Sequence, residues 1–175
     1  MPNFKPKKAK KKRTVNEKKT WINKLDTVFS LYIRLRDSKH YGYRNFRCIS
    51  CGEPKSVDQM DCGHFVSRNC MALRWDERNA HGECQKCNRF LSDHLIGYRR
   101  NLIIKLGEDA ISGSAIAYAL EPQKKLELIK KMGEQRVQEL EAMKYTTKKW
   151  GVEELKQMYM YYAALVLEMK NDRHI

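Results

Sequence analysis

Apolar residues recur at helical spacing in the first part of the chain. Between residues 21 and 37 they fall at positions 21, 22, 25, 28, 29, 32, 33 and 35, the stripe of an amphipathic helix. Thr20 can cap the start of this helix, and cationic side chains gather near its end, where the helix dipole favours them. The pattern therefore predicts a helix that packs its apolar face on the rest of the domain.

Short strands are predicted in the middle of the chain. Residues 59–66 and 78–83 have strand character, and the second of these segments runs into a short helix expected to begin near Gln85. Polar turns and loops separate these segments from each other and from the first helix. The predicted order is therefore strand, return strand, helix.

The rest of the chain is expected to be helical. A helix or two is predicted over residues 90–106, ended by Gly107, followed by a weak helix over 108–120. Pro122 fits the first turn of a helix that runs to about residue 144 and is broken or weakened at Gly133. From Val152 the apolar positions are 152, 155, 159, 162, 166 and 169, which is compatible with an antiparallel hairpin or with a dimer seam.

The charge of the chain points to a polyanionic partner. The net charge is +14 over 175 residues, and seven of the nine residues from 5 to 13 are basic. Such a run repels itself and is expected to be disordered alone, and it favours nucleic-acid contact over a merely solvated tail because the remainder is also basic. No apolar run is long enough to span a membrane. The expected organisation is a basic arm (1–19), a central domain (20–120) and a C-terminal helical hairpin (121–175).

Two Cys-x-x-Cys pairs enclose the middle segment. Each pair can present two thiolates to one ion, and together the pairs predict a closed structural zinc site. Disulfides would require an oxidising compartment, and the Lys-rich start is not an apolar secretory leader. A redox motif would require one pair rather than two. The predicted zinc ligands are Cys48, Cys51, Cys84 and Cys87.

The 32 residues between the pairs carry the candidate chemistry. His64, near a strand end, can act as a general base, with Asn79 on the return strand as the neighbour that orients it. Asn88, just inside the short helix, and Asp61 can offer oxygen atoms to a hard cation such as Mg²⁺ or Mn²⁺. Taken singly, each residue is more often a ligand, a surface group or a turn residue; the hypothesis rests on the set.

The spacing of His64, Asn79 and Asn88 around the second pair resembles the HNH (His-Me finger) endonucleases, in the variant with Asn at the last position. The Asn directly after that pair also resembles phage endonuclease VII. More closely, D-C-G-H-F and R-W-D-E-R-N-A-H-G-E-C-Q-K-C-N-R-F-L-S resemble the phage NinG (Rap) recombination proteins, and the resemblance covers most of residues 21–170. It implies a structure-specific endonuclease that cuts branched intermediates such as Holliday junctions and D-loops.

One position departs from that pattern. Many HNH enzymes place a metal-binding Asp immediately before the catalytic His, and here that position is Gly63. Asp61, on the same side of a regular strand as Gly63, is the expected ligand, and His81 is the reserve ligand or base.

The expected fold is thus α+β and mostly helical, with a zinc-stapled ββα-metal core between N- and C-terminal helices. Expected partners are branched DNA and, because resolvases cut two strands of a symmetric junction, a second copy of the chain; the expected location is the cytoplasm of the bacterial host. The rival interpretation is a zinc-ribbon DNA-binding protein without catalysis. The predicted DNA contacts are Arg68, Arg74, Arg89, Arg99, Arg100, Lys8, Lys10, Lys11, Lys12 and Arg13.

Overall fold

The computed structural model describes residues 16–173, and this part of the chain is a mostly helical α+β protein with two small antiparallel sheets. The mostly helical α+β prediction is confirmed. No helix within these residues is long and apolar enough to cross a membrane. The elements, in order, are α1 (Glu17–Ser38), β1 (Asn45–Arg47), β2 (Pro54–Ser56), β3 (Met60–His64), β4 (Ala80–Cys84), α2 (Gln85–Phe90), α3 (His94–Ile111), α4 (Ala115–Ala119), α5 (Pro122–Met143) and α6 (Val152–Asp172).

The central segment forms the predicted sequence of two strands and a helix. β3 and β4 pair antiparallel without a bulge, so that Met60 lies opposite Cys84 and His64 lies opposite Ala80. Both strands are shorter than predicted, and α2 begins at Gln85 as expected. A separate two-stranded sheet, β1 with β2, carries the first cysteine pair at the end of β1. Two-stranded sheets are marginal alone, so both depend on the helices around them.

The long helices pair in a way that periodicity did not reveal. α6 packs on α1, and α5 packs on α3, so α5 and α6 do not form the predicted C-terminal hairpin. The stripe of α6 (Leu155, Tyr162 and Val166) is buried in one cluster with Leu25 and Phe29 of α1. That stripe was also the candidate dimer seam, but it is buried against α1 of the same chain. The periodicity correctly identified the buried face but could not identify its partner.

Two glycines expected to end or weaken helices instead allow two helices to touch. α3 continues through Gly107 to Ile111, and α5 is unbroken at Gly133. A Cβ atom at Gly107 would overlap the carbonyl oxygen of Ile129, and one at Gly133 would overlap that of Ile103. The missing side chains therefore let the α3 and α5 backbones approach closely, and both residues are buried at the contact.

Replacing Gly133 by Ala should destabilise the protein by about 1–3 kcal/mol, because the added methyl group forces α3 and α5 apart. In a helix without such a contact, the same change would stabilise by roughly 1 kcal/mol. The sign of the shift in urea midpoint therefore tests the contact. Gln135→Ala, at an exposed position of α5, is the control and should be near neutral.

Candidate metal centre and catalytic residues

Four cysteine side chains meet where β1, β4 and α2 come together. The sulfur atoms of Cys48, Cys51, Cys84 and Cys87 all lie within 4.8 Å of one another. Four thiolates at this separation can bind a metal ion such as zinc. Burial raises the pKa of the Cys48 thiol to about 11, so a metal that binds there displaces its proton.

Backbone hydrogen bonds hold the first cysteine pair against the hairpin. The amide of Ile49 donates to the carbonyl of Gly82 over 3.0 Å, and the amide of Cys84 donates to the sulfur of Cys48 over 3.3 Å. The side chain of Asn101, on α3, donates to the carbonyl of Ile49 over 2.8 Å. The second pair needs no separate support, since Cys84 caps α2 and Cys87 lies inside it.

His64 is the last residue of β3, and its ring is held in one orientation. Its Nε2 atom lies 3.1 Å from the carbonyl oxygen of Arg74. A carbonyl only accepts, so Nε2 carries the proton and the Nδ1 lone pair remains. Nδ1 makes no hydrogen bond with any residue in the described part of the chain. Burial lowers the pKa of His64 below its ordinary value, so the imidazole is neutral at physiological pH.

The carbonyl that holds His64 is itself positioned by Asp26 of α1. The Arg74 guanidinium donates to both Asp26 oxygens, over 2.9 and 2.6 Å, and the Trp75 indole donates to the same carboxylate over 2.9 Å. Asp26 thus anchors the segment between β3 and β4 at the point where it meets the imidazole. This role could not be predicted from the sequence, because Asp26 is an isolated acid on an amphipathic helix.

Asn79 does not contact the imidazole, which corrects its predicted role as the orienting neighbour. Its side chain is fully buried and bonds to backbone instead. The amide oxygen accepts from the Val66 amide over 2.7 Å, and the amide nitrogen donates to the carbonyls of Val66 and Leu73 over 2.9 and 3.0 Å. Asn79 therefore closes the 65–79 loop immediately after His64, and its side chain can influence His64 only through the backbone.

Asp61, Asn88 and Arg89 form a second cluster, where β3 meets α2. The Arg89 guanidinium donates to both oxygens of Asp61 over 2.7 Å each, and the Asn88 amide nitrogen lies 3.0 Å from one of them. Arg89 first, and then Asn88, hold the pKa of Asp61 below its ordinary value. The carboxylate is therefore ionised, but it is already paired with an arginine, and it faces the NH2 group of Asn88 rather than the amide oxygen that would bind a cation.

His64 and the Asp61 cluster have different neighbours. Because β3 is unbulged, alternation places the side chains of residues 61 and 64 on opposite faces of the hairpin. His64 lies near Phe29, with ring centroids 6.5 Å apart, whereas Asp61 contacts α2. The structure brings Asp61 to Asn88, and it does not bring either of them into hydrogen-bond contact with His64.

His81, the reserve ligand or base, is buried and uses both ring nitrogens for contacts within the protein. It is 2% exposed, its Nδ1 atom lies 2.9 Å from the Arg36 guanidinium, and its Nε2 atom lies 3.1 Å from the Arg78 carbonyl. Both ring nitrogens are therefore used, and burial lowers its pKa. This environment excludes the reserve role, because neither nitrogen is available to an ion or to water.

A family model described as the Bacteriophage Lambda NinG protein matches residues 3–117. The matched segment includes both cysteine pairs, His64, Asn79 and Asn88. The chain belongs to the NinG family. This assignment covers the hairpin, α2 and α3, and it leaves α5 and α6 outside the matched residues.

Curated NinG relatives match a shorter segment. Protein ninG of Escherichia phage 933W is 35% identical over 102 residues, which cover 58% of this chain and 47% of the relative. The proteins of the same name from Escherichia phage lambda and Salmonella phage P22 are 34% and 35% identical over 102 residues with the same coverage. The match thus spans about half the length of these relatives. No solved structure matches the chain.

Six arginines are predicted to contact DNA, and three of the five that lie among residues 16–173 are paired with carboxylates in this NinG-family chain. Arg68 and Arg100 are exposed, and their guanidinium groups make no hydrogen bond or ion pair with any residue among 16–173. The predicted contacts Lys8, Lys10, Lys11, Lys12 and Arg13 lie outside the described residues. The paired arginines are Arg74 with Asp26, Arg89 with Asp61, and Arg99 with both Glu134 and Glu141.

Mutation of a clustered cysteine should remove the bound metal, whereas mutation of either of the two remaining cysteines should not. Cys84→Ser should reduce bound metal from one ion per chain to near zero and lower the melting temperature, because a closed four-thiolate site loses a ligand. Elemental analysis of the purified protein measures the ratio. Cys62→Ser is the matched control: burial raises the pKa of that thiol to about 12, and it lies outside the cluster. Full metal content in Cys84→Ser would contradict the assignment.

Proposed function

We propose that this protein is a metal-dependent endonuclease that hydrolyses phosphodiester bonds in branched DNA, with a structural zinc ion at the four cysteines. The observation that carries the proposal is the state of His64. The ring is neutral, its Nε2–H is taken up by the Arg74 carbonyl, and its Nδ1 lone pair is left to accept a proton from water. These features match the needs of a general base. The arrangement β3, β4, α2 supports an HNH-type core.

Asp61 and Asn88 are the residues that would hold the second ion. A carboxylate and an amide oxygen suit a hard divalent cation such as Mg²⁺ or Mn²⁺. When bound, such an ion would stabilise the leaving oxygen of the phosphodiester. In-line displacement places the attacking and leaving oxygens on opposite sides of phosphorus, so the base and the ion ligands need not touch. Arg89, whose side chain is 52% exposed, would release Asp61 to the ion.

A second candidate function is a zinc-stapled DNA-binding protein without catalysis. One observation favours it: Arg89 already neutralises Asp61 through both carboxylate oxygens. Incubation of the protein with a Holliday junction, a D-loop and a linear duplex, with and without added Mg²⁺, separates the two functions. Cleavage that requires Mg²⁺ and is confined to branched DNA supports the endonuclease, and binding without any cut supports the rival.

His64→Ala should lower the cleavage rate by about 100- to 10,000-fold, the usual contribution of a general base, while metal content and circular dichroism persist. His40→Ala, at an exposed histidine, is the control and should cut normally. In the wild type, the rate should rise as pH increases through the lowered pKa of His64 and level off by neutral pH, because only the neutral ring accepts a proton. A wild-type rate in His64→Ala would refute the assignment.

Asp61→Asn and Arg89→Ala should have opposite consequences if Asp61 is an ion ligand. Loss of the carboxylate should slow cleavage by about 100- to 1,000-fold, whereas loss of Arg89 should lower the Mg²⁺ concentration needed for half-maximal rate, because the competing cation is gone. Titration of Mg²⁺ against cleavage rate measures both. Equal loss of activity in the two variants would show that Asp61 serves only to anchor Arg89.

A further inference from the structure

The corner where α2 meets α3 exposes large apolar side chains. Phe90 is 79% exposed and Ile96 is 75% exposed, with Leu91 at 39% and Leu95 at 41% between them. All four fall within seven consecutive residues. Within the described part of the chain Phe90 and Ile96 are largely uncovered, and clustered exposure of this kind marks an interaction surface.

Exposed cations flank the apolar corner. Lys86 lies four residues before Phe90 on α2, and Arg100 lies four residues after Ile96 on α3, so Phe90 and Ile96 each have a cation one helical turn away. Neither cation forms an ion pair with any residue from 16 to 173. An aromatic ring beside free cations suits a nucleic-acid strand with unstacked bases, because the ring takes the base and the cations take the phosphates.

The size of the corner argues against a stable protein partner. A specific protein interface usually uses about 20–30 residues on each side, whereas four apolar side chains with flanking charges form this surface. A single base stacked on one aromatic ring, in contrast, needs no larger area.

The corner also adjoins the candidate ion-binding cluster. Asn88 precedes Phe90 by two residues in the same short helix, and Arg89 lies between them. Side chains two residues apart on a helix do not face each other, so Phe90 would meet nucleotides that flank the phosphate at Asn88 and Asp61 rather than that phosphate itself.

We propose that Phe90 and Ile96 form an apolar wedge that stacks on bases left unpaired at a DNA branch point, and that this wedge gives the protein its preference for branched over linear DNA. The inference rests on the proposed endonuclease function and specifies the structural element of the substrate that the same site reads. Phe90 supplies the stacking surface and Ile96 supports it.

The test measures binding without cleavage, in Ca²⁺ instead of Mg²⁺, on a three-way junction and on a linear duplex of the same sequence. Phe90→Ala should reduce the preference for the junction by about tenfold, in line with the loss of one stacked base, and leave duplex affinity unchanged. Phe90→Trp should retain the preference. Tyr118→Ala, which removes an aromatic ring that is 84% exposed on α4, is the matched control and should bind like the wild type.

A fluorescent base analogue at the branch point gives a second measurement. Its emission should change on binding of the wild type and much less with Phe90→Ala. An equal loss of affinity for junction and duplex would overturn the proposal, as would a dimer that Phe90→Ala converts to monomer, measured by light scattering, with junction preference intact. Because the assay needs no cleavage, an inactive wild type that still prefers junctions would refute the endonuclease, and the loss of that preference in Phe90→Ala would still support the wedge.

Discussion

The convergence of two distant chain segments on four sulfur atoms is the constraint on which the rest of the structure depends. The cysteine pairs are separated by 32 residues, yet their sulfurs lie within 4.8 Å of one another. α2 starts at Gln85, directly after Cys84, so the cluster sets the position of that helix. The cluster therefore also sets the positions of Asn88 and Phe90, which lie in that helix. Neither two-stranded sheet would be stable alone. A metal bound at the cluster would cross-link the two sheets.

Helices cover both faces of the β3–β4 hairpin, which the cysteine cluster does not. α1 covers one face through Phe29, beside His64, while α3 covers the other through Tyr98, whose hydroxyl donates to the Gly63 carbonyl over 3.1 Å. Gly97 allows α3 to approach the first cysteine pair, since a Cβ atom there would overlap the Ser50 carbonyl oxygen. α5 packs on the outer side of α3, and α6 packs on the outer side of α1.

The features that depend on local pattern could be predicted from the sequence, and those that depend on tertiary distance could not. The helix stripes, the start of α2 and the cysteine cluster follow from periodicity and spacing. The roles of Gly107 and Gly133 could not be predicted, because a glycine that ends a helix and a glycine at a helix contact have the same appearance in a single sequence. The pairing of α6 with α1 was missed because a stripe identifies a buried face and says nothing of what covers it.

The charges illustrate the same limit. A net charge of +14 predicts a polyanionic partner, but it does not say which cations remain available. Arg74 and Arg99 are bound to carboxylates, so they serve the fold, whereas Arg68 and Arg100 remain exposed. The surface for a polyanion within the described residues is therefore narrower than the arginine count suggests, and Arg100 lies beside the apolar corner.

The two halves of the candidate site differ in rigidity, and this difference has a chemical consequence. His64 is fixed through the Arg74 carbonyl, which is fixed in turn by the partly buried pair of Arg74 with Asp26; a base needs such preorganisation because its lone pair must be aimed before water arrives. In the second half, Arg89 holds Asp61 through both carboxylate oxygens, and the Arg89 side chain is 52% exposed. Under the proposed function, a divalent ion with its greater charge would replace Arg89 at Asp61. The same arginine, once released, is free to meet a phosphate, so the exchange would couple ion binding to substrate binding.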